Sequence, residues 1–149
     1  MSNYTVRQFE EKDYPTLVRW FEQWGWDAWD MDIISPYSYL VEFKGDPVLF
    51  TSFYKGEGCS FGNMGFTISD KDIGKLVAGR AISKGLDHVK QEAEKSGIKC
   101  LQYATDTESK VMVDFFCKKG GEITDHGDAY IAIMGLNGFD TDFYYEGKK

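Results

Sequence analysis

Apolar and polar positions alternate over "YTVRQF" (residues 4–9), which predicts a strand. The period then lengthens. In "EKDYPTLVRWFEQWG", Leu17, Val18 and Phe21 form one stripe, Asp13 stands at the cap position, Pro15 in the first turn and Gly25 just past the end, so a helix is expected. "WDAWDMDIISPYS" has room for a short helix that Pro36 would end. Three strand-like runs follow: "YLVEF" and "PVLFTSFY" around a turn at Lys44, Gly45 and Asp46, then "CSFGNMGFTI" after a turn at Gly56, Glu57 and Gly58. Gly62 and Gly65 inside the third run point to a bulge or a close backbone approach. Ala78, Ile82, Leu86, Val89 and Ala93 then share one helical face, and Gly97 ends that helix. "KCLQYA" reads as a short strand. "ESKVMVDFFCKKG" reads as a helix after the capping-box pattern Thr105, Asp106, Thr107, Glu108, pairing Val111 with Phe115 and Met112 with Phe116. "GEIT" and "AYIAIMGL" around His126, Gly127 and Asp128 predict a final hairpin, and "NGFDTDFYYEGKK" is an acidic, aromatic tail able to add an edge strand, cover the core or make a dimer contact.

The order implies an α+β chain. Tight turns make the early strands antiparallel, whereas the run 59–68, the long helix and residues 99–104 form a strand–helix–strand unit with parallel strands. A mixed, mostly antiparallel sheet of about six to seven strands with helices on both faces is expected, in one domain spanning residues 1–149, since 149 residues is an ordinary domain size. A net charge of -7 argues against a sequence-independent nucleic-acid binder and suits a cationic small molecule or basic partner. No apolar run is long enough for a membrane span and the first residues carry no signal-peptide pattern. Cys59, Cys100 and Cys117 have no metal-like spacing and read as free thiols of a cytoplasmic protein.

Chemistry enters with "KDIGKLVAGRA" (residues 71–81). A helix that follows a strand in such a unit presents free N–H groups and its positive dipole end, glycine lets oxygens approach the backbone, and Lys71, Lys75 and Arg80 add charge. That combination suits a pyrophosphate held without a metal. The competing reading takes Ser69, Asp70, Lys71 and Asp72 as a cap, with a helix of about 27 residues from Asp70 that contains two incidental glycines.

Element order and glycines together resemble the GNAT superfamily of N-acyltransferases, over about residues 4–136. The family carries Gln or Arg, two residues, Gly, one residue, then Gly or Ala before its long helix. "LVAGRA" (residues 76–81) matches at Gly79 and Ala81 with Leu76 in the first place, and is the preferred register; "KDIGKL" (residues 71–76) supplies Lys71 and Gly74 and ends in Leu76. "SKVMVDFFCKKG" fits the spacing of a second family signature, with Ser109 for Asn, Met112 for Ala and Phe116 for Tyr. The resemblance implies acetyl-CoA as cosubstrate, no metal, and transfer to a primary amine of a small molecule or protein. It implies that Phe66, Thr67, Ile68, Gly74, Lys75, Val77, Ala78, Gly79, Arg80, Ala81, Ser109 and Phe116 hold CoA. Backbone N–H groups near Gly65, Phe66 and Thr67 would stabilise the oxyanion, and strand carbonyls would pair with the pantetheine arm.

The family's Tyr often protonates the leaving thiolate, which Phe116 cannot do; Tyr103 and Cys117 are the conceivable substitutes. No general base stands out: Glu57, Asp70, Asp106 and Asp128 also read as turn or cap residues, His88 is placed on the long helix's exposed side, and His126 lies in a turn. "WGWDAWDMD" interleaves Trp24, Trp26 and Trp29 with Asp27, Asp30 and Asp32 where the family places one acceptor wall. It could receive a cation on ring faces and carboxylates, Trp26, Asp27, Trp29 and Asp30 foremost, or its indoles could simply cover the core. The rivals are a non-catalytic CoA-binding or interaction domain on the same fold and an unrelated α/β protein.

Overall fold

A computed structural model describes residues 2–106 and 109–141 and divides the chain into two compact units, Met1–Phe53 with Gly65–Val89, and Tyr54–Met64 with Lys90–Lys149. In the first unit, β1 (Tyr4–Gln8), β2 (Tyr37–Phe43) and β3 (Asp46–Lys55) are antiparallel neighbours. Lys44 and Gly45 carry φ of 52° and 87°, the left-handed pair a two-residue hairpin turn needs. β4 (Phe61–Met64) belongs to the second unit, and β5 (Ile68–Ser69) pairs with β3 through Phe50 and Leu49. The single run expected over residues 59–68 is thus two strands separated by residues 65–67, which brings the count among the described residues to eight.

Strand alternation sends neighbouring residues to opposite faces. Leu40 and Phe50 pack with Leu17, Trp20 and Phe21 of α1 (Tyr14–Gln23). Val41 and Leu49 pack with Ala81 and Ile82 of α2 (Lys75–Lys95). Helices therefore cover both faces of this unit's strands, as expected. Trp20, absent from the predicted stripe, is fully buried, and Val18 is only half-buried. α2 sits tightly on its face: a Cβ on Gly85 would stand 3.2–3.3 Å from side-chain carbons of Leu49, Thr51 and Val41. His88, expected on the exposed side, is half-buried with its ring 4.5 Å from that of Tyr39.

Asp13 does not cap α1 through its side chain. Its carboxylate accepts two bonds from the Arg7 guanidinium, both 2.8 Å, and one from the Glu10 N–H at 2.9 Å. Arg7 holds Asp13 below the usual carboxylate range despite burial, because hydrogen bonding to the charged form outweighs the desolvation that opposes it. The stretch after α1, with room for a short helix, holds one 3₁₀ turn, Met31–Ile33.

In the second unit, β4 pairs parallel with β6 (Cys100–Asp106), β6 antiparallel with β8 (Ala129–Gly135), and β8 with β7 (Glu122–His126). The predicted strand–helix–strand unit is therefore present, with its two strands parallel. Gly62 of β4 is glycine for packing: a Cβ there would meet Ile98 at 2.6 Å and the Tyr54 carbonyl at 2.8 Å. Asn137 ties down the end of α2 by donating to the Glu94 and Ile98 carbonyls at 3.1 and 2.8 Å. α3 (Lys110–Lys118) buries Val113 and Phe116, whereas Val111, paired in the sequence reading with Phe115, is 63% exposed. The expected capping residues 107 and 108, and the tail from 142 to 149, lie outside the described residues. No helix among the described residues is long and apolar enough to cross a membrane.

Candidate acyl-donor and acceptor site

The first unit gathers most of the residues singled out in the sequence. α2 begins at Lys75 and is 21 residues long, so the alternative of one helix running from Asp70 fails. Its reason is Gly74, whose φ of +78° is left-handed and incompatible with a continuing right-handed helix. Nothing in the protein lies within 4 Å of where a Cβ of Gly74 would be, so the space above this residue is open. The Ala78 N–H closes the first helical bond on the Gly74 carbonyl at 3.1 Å, which leaves Lys75, Leu76 and Val77 as the first-turn donors without helical acceptors. Gly79 and Ala81 sit inside the helix, and Ala81 is a fully buried core residue. The open N–H groups thus coincide with the register "KDIGKL" and not with the preferred "LVAGRA". Sequence spacing could not separate the two, because helix entry is set by the sign of one φ.

Residues 65–67 carry no strand pairing. Gly65 donates its N–H to the Ser52 carbonyl at 2.8 Å. Of the three suggested oxyanion donors this leaves Phe66 and Thr67, whose N–H groups have no backbone acceptor among the described residues. Thr67 is fixed by its hydroxyl, 3.0 Å from that of Thr51, and the Phe66 ring stacks on Phe50 at 4.7 Å.

The tryptophan stretch reaches the same elements. Trp29 packs edge-on against Phe66 with centroids 4.6 Å apart, and its carbonyl accepts the Tyr14 hydroxyl at 2.8 Å. Trp24 donates its indole N–H to the Ser69 carbonyl at 2.9 Å and stacks with Trp26 at 5.9 Å. One ring face is already in use: the Lys71 ammonium lies 5.1 Å from the Trp24 centroid. Gln23 closes the link, accepting the Lys71 N–H at 3.0 Å while donating to Asp70 at 3.3 Å. Asp27, Asp30 and Asp32 are exposed around indoles that are themselves 38–54% exposed.

The remaining site candidates belong to the second unit. Tyr103 is buried, and burial pushes its phenol up, against the hydrogen bond to Thr105. Its ring meets Phe116 at 5.6 Å. Phe116 is 1% exposed, its ring filling the space a side chain at Gly121 would need. Cys117 is half-buried; burial, then the Asp114 and Glu122 carboxylates, push its thiol up, so it is no thiolate nucleophile at neutral pH. The Ser109 N–H donates to the Asp106 carboxylate at 3.0 Å, which engages that acid. Asp70 is likewise engaged, by Gln23 and by the Asp72 N–H at 3.0 Å. Glu57 and Asp128 are exposed near turns. Among the described residues no group of three or more His, Cys, Asp or Glu side chains is gathered as for a metal ion.

No family model and no curated protein matches the chain. Solved structures do. An acetyltransferase of the GNAT family from Streptococcus pneumoniae superposes with a TM-score of 0.68 at 15% identity, over 90% of this chain and 99% of that one. The chain has the GNAT fold. Ard1 from Thermoplasma volcanium is similar to the same extent, with a TM-score of 0.71 at 15% identity, over 90% of this chain and 98% of that one. N-acetylglutamate synthase from Neisseria gonorrhoeae, complexed with coenzyme A and N-acetyl-glutamate, gives 0.65 at 14% identity, over 92% of this chain but 36% of that one. On this GNAT fold, the sequence missed the link from Gln23 through Asp70 and Lys71 to Trp24. Its local signal was Asp70, read as a cap or turn residue, and Lys71, read as charge at the helix entry. The partner lies some 47 positions away and no periodicity connects it.

Proposed function

We propose that this chain is an N-acyltransferase that moves an acetyl group from acetyl-CoA to a primary amine, and that the amine is cationic. The observation that carries the reading is the entry to α2: an open, left-handed Gly74 with unsatisfied first-turn N–H groups, flanked by Lys71 and Lys75, on the GNAT fold. These residues fit a pyrophosphate. Partial positive charge at the helix end, N–H donors and two ammonium groups meet where no side chain blocks approach. Acetyl-CoA supplies the acyl group as a thioester. Transfer joins the amine nitrogen to the carbonyl carbon and releases the thiolate. Phe66 and Thr67 N–H groups are the proposed stabilisers of charge on the carbonyl oxygen. Trp26, Trp29, Asp27 and Asp30 would draw in the ammonium, which loses its proton to water, because the nearby Asp70 carboxylate is already hydrogen-bonded. The thiolate leaves without a proton from Phe116.

A second reading, a CoA-binding domain without turnover, is favoured by one observation: the family's proton-donor position is a fully buried phenylalanine. Two measurements separate the readings. Acetyl-CoA and free CoA should both raise the melting temperature; no shift with either overturns both readings. Thiol release across a panel of primary amines then supports the transferase, and a shift without release supports the binding domain.

A further inference from the structure

Three consecutive residues of β3 each hold one residue of the segment 65–67. β5 pairs with β3 in the register Leu49 with Ser69 and Phe50 with Ile68, and the Asp70 N–H donates to the Val48 carbonyl at 2.9 Å. Carried on, that register sets Thr51 opposite Thr67 in a position without ladder bonds, and Ser52 opposite Phe66 in one with them. Gly65 breaks the step: its N–H, in place of that of Phe66, occupies the Ser52 carbonyl at 2.8 Å. Two residues then face one, as in a β-bulge. The Phe66 N–H is left over, and the Thr67 N–H is directed away from β3. The bulge is pinned from below. The Phe66 ring lies on that of Phe50, 4.7 Å between centroids and 18° between planes, and the Thr67 hydroxyl is 3.0 Å from that of Thr51. Thr51 is the unexpected member, a hydroxyl residue 1% exposed beside Val41 and Leu49. Its methyl is seated under α2, where a Cβ on Gly85 would stand 3.2 Å away. A β-branched side chain with its methyl so placed has its hydroxyl direction fixed as well. Valine would fill the same seat, so packing does not call for the hydroxyl; the bond to Thr67 does.

We propose that Thr51 is a positioning residue for acyl transfer: its hydroxyl locks Thr67 and thereby aims the Phe66 and Thr67 N–H groups at the oxygen of the thioester carbonyl. The inference rests on the function proposed above. Thr51, buried beneath the segment, acts through Thr67 and not on the acyl donor itself. Charge that develops on the carbonyl oxygen is best stabilised by donors already in place, and a donor that must first be re-aimed gives less. Outright loss of one such donor costs about 10²–10³ in kcat, so donors freed to wander are expected to cost about ten- to hundredfold. Affinity for the acyl donor, set by the loop at Gly74, is unaffected.

Difference infrared spectroscopy of the full chain with acetyl-CoA, carbon-13 labelled at the thioester carbonyl, tests this without an acceptor amine. Binding to the parent chain should move the carbonyl stretch to lower frequency, because N–H donors polarise it. Thr51→Val keeps the shape and removes the hydroxyl; it should bind acetyl-CoA as tightly as the parent and lose most of the shift. Thr51→Ser should keep the shift. Thr67→Val should lose as much as Thr51→Val, and the double variant no more than either alone. With an acceptor from the amine panel, kcat should follow the shift at unchanged KM for acetyl-CoA. Three results overturn the proposal and leave the donor site standing: an unshifted carbonyl in the bound parent, a full shift in Thr51→Val, or a loss in Thr51→Ser as complete as in Thr51→Val. No binding of acetyl-CoA to the parent overturns the donor site and this inference with it. Thr67 is only half-buried, so Thr67→Val keeps the test open even if Thr51→Val disturbs the core.

Discussion

Gly74 offers a pair of substitutions that isolates electrostatics from shape. At φ +78° most residues are strained by roughly 1–2 kcal/mol, but Asn and Asp visit this region more readily. A Cβ there meets no protein atom within 4 Å, so steric cost inside the fold is absent. Gly74→Asn and Gly74→Asp then differ essentially by one negative charge. In the free protein that charge faces the positive end of α2 and should make the Asp variant about 0.3–1 kcal/mol more stable than the Asn variant. On the proposed reading the same carboxylate would face a phosphate when CoA binds, and a separation on the order of 6 Å sets the scale. At that distance each unit charge repels by about 0.7 kcal/mol in water and about 3 kcal/mol at an effective dielectric of 20, a roughly three- to hundredfold loss of affinity. Calorimetry with CoA reads the second effect and thermal melts read both. For the parent chain at a hundredfold excess over Kd, CoA contributes about 2.7 kcal/mol, roughly 5–11 °C in midpoint for a chain of this size. The Asp variant should melt higher than the Asn variant without CoA and gain less from CoA than the Asn variant does. An Asp variant that binds CoA as tightly as the Asn variant refutes the placement of a pyrophosphate at Gly74.

Three other outcomes are expected. Arg7 lowers the Asp13 carboxyl, so the stabilisation it gives is complete above the unfolded value near 4 and fades as pH falls through the lower folded value; Asp13→Asn should cost about 1.5–3 kcal/mol at pH 7 and less at pH 3, and an equal cost at both would contradict the assignment. Phe116→Tyr places a hydroxyl in a site that is 1% exposed, so melts should fall by about 1–3 kcal/mol while turnover per folded molecule is kept or raised; loss of turnover in folded protein would mean that another group already serves the thiolate. Asp27→Asn with Asp30→Asn should raise the KM for a cationic amine and leave acetyl-CoA affinity unchanged, as steady-state kinetics with an identified substrate will show.

What the sequence revealed follows from the range of each signal. The hairpin at Lys44 and Gly45 and most of the two helical faces depend on residues close in the chain, and local patterns were enough for them; the parallel strand pair, which joins Phe61 to Cys100, followed from the order of elements instead. Asp13 shows the limit. It looked like a cap because caps are local, yet Arg7 on β1 claims its carboxylate once strand and helix pack. His88 likewise looked exposed until Tyr39, 49 positions earlier, covered its ring. At the entry to α2 the presence of a special glycine was legible and its register was not. Two glycines five positions apart both satisfy a spacing rule, and only the backbone tells which one stands outside the helix.

The ammonium of Lys71 over the Trp24 ring has a practical consequence. An indole reports the charge beside it through its emission. Trp20 is sealed in the core, whereas Trp24 is partly solvated and carries a cation from the very loop that faces the open space at Gly74. The protein therefore has a native optical gauge of that loop: any anion that recruits Lys71 must take the charge away from Trp24. Occupancy can be followed in the unlabelled chain, with Trp24→Phe as the blank.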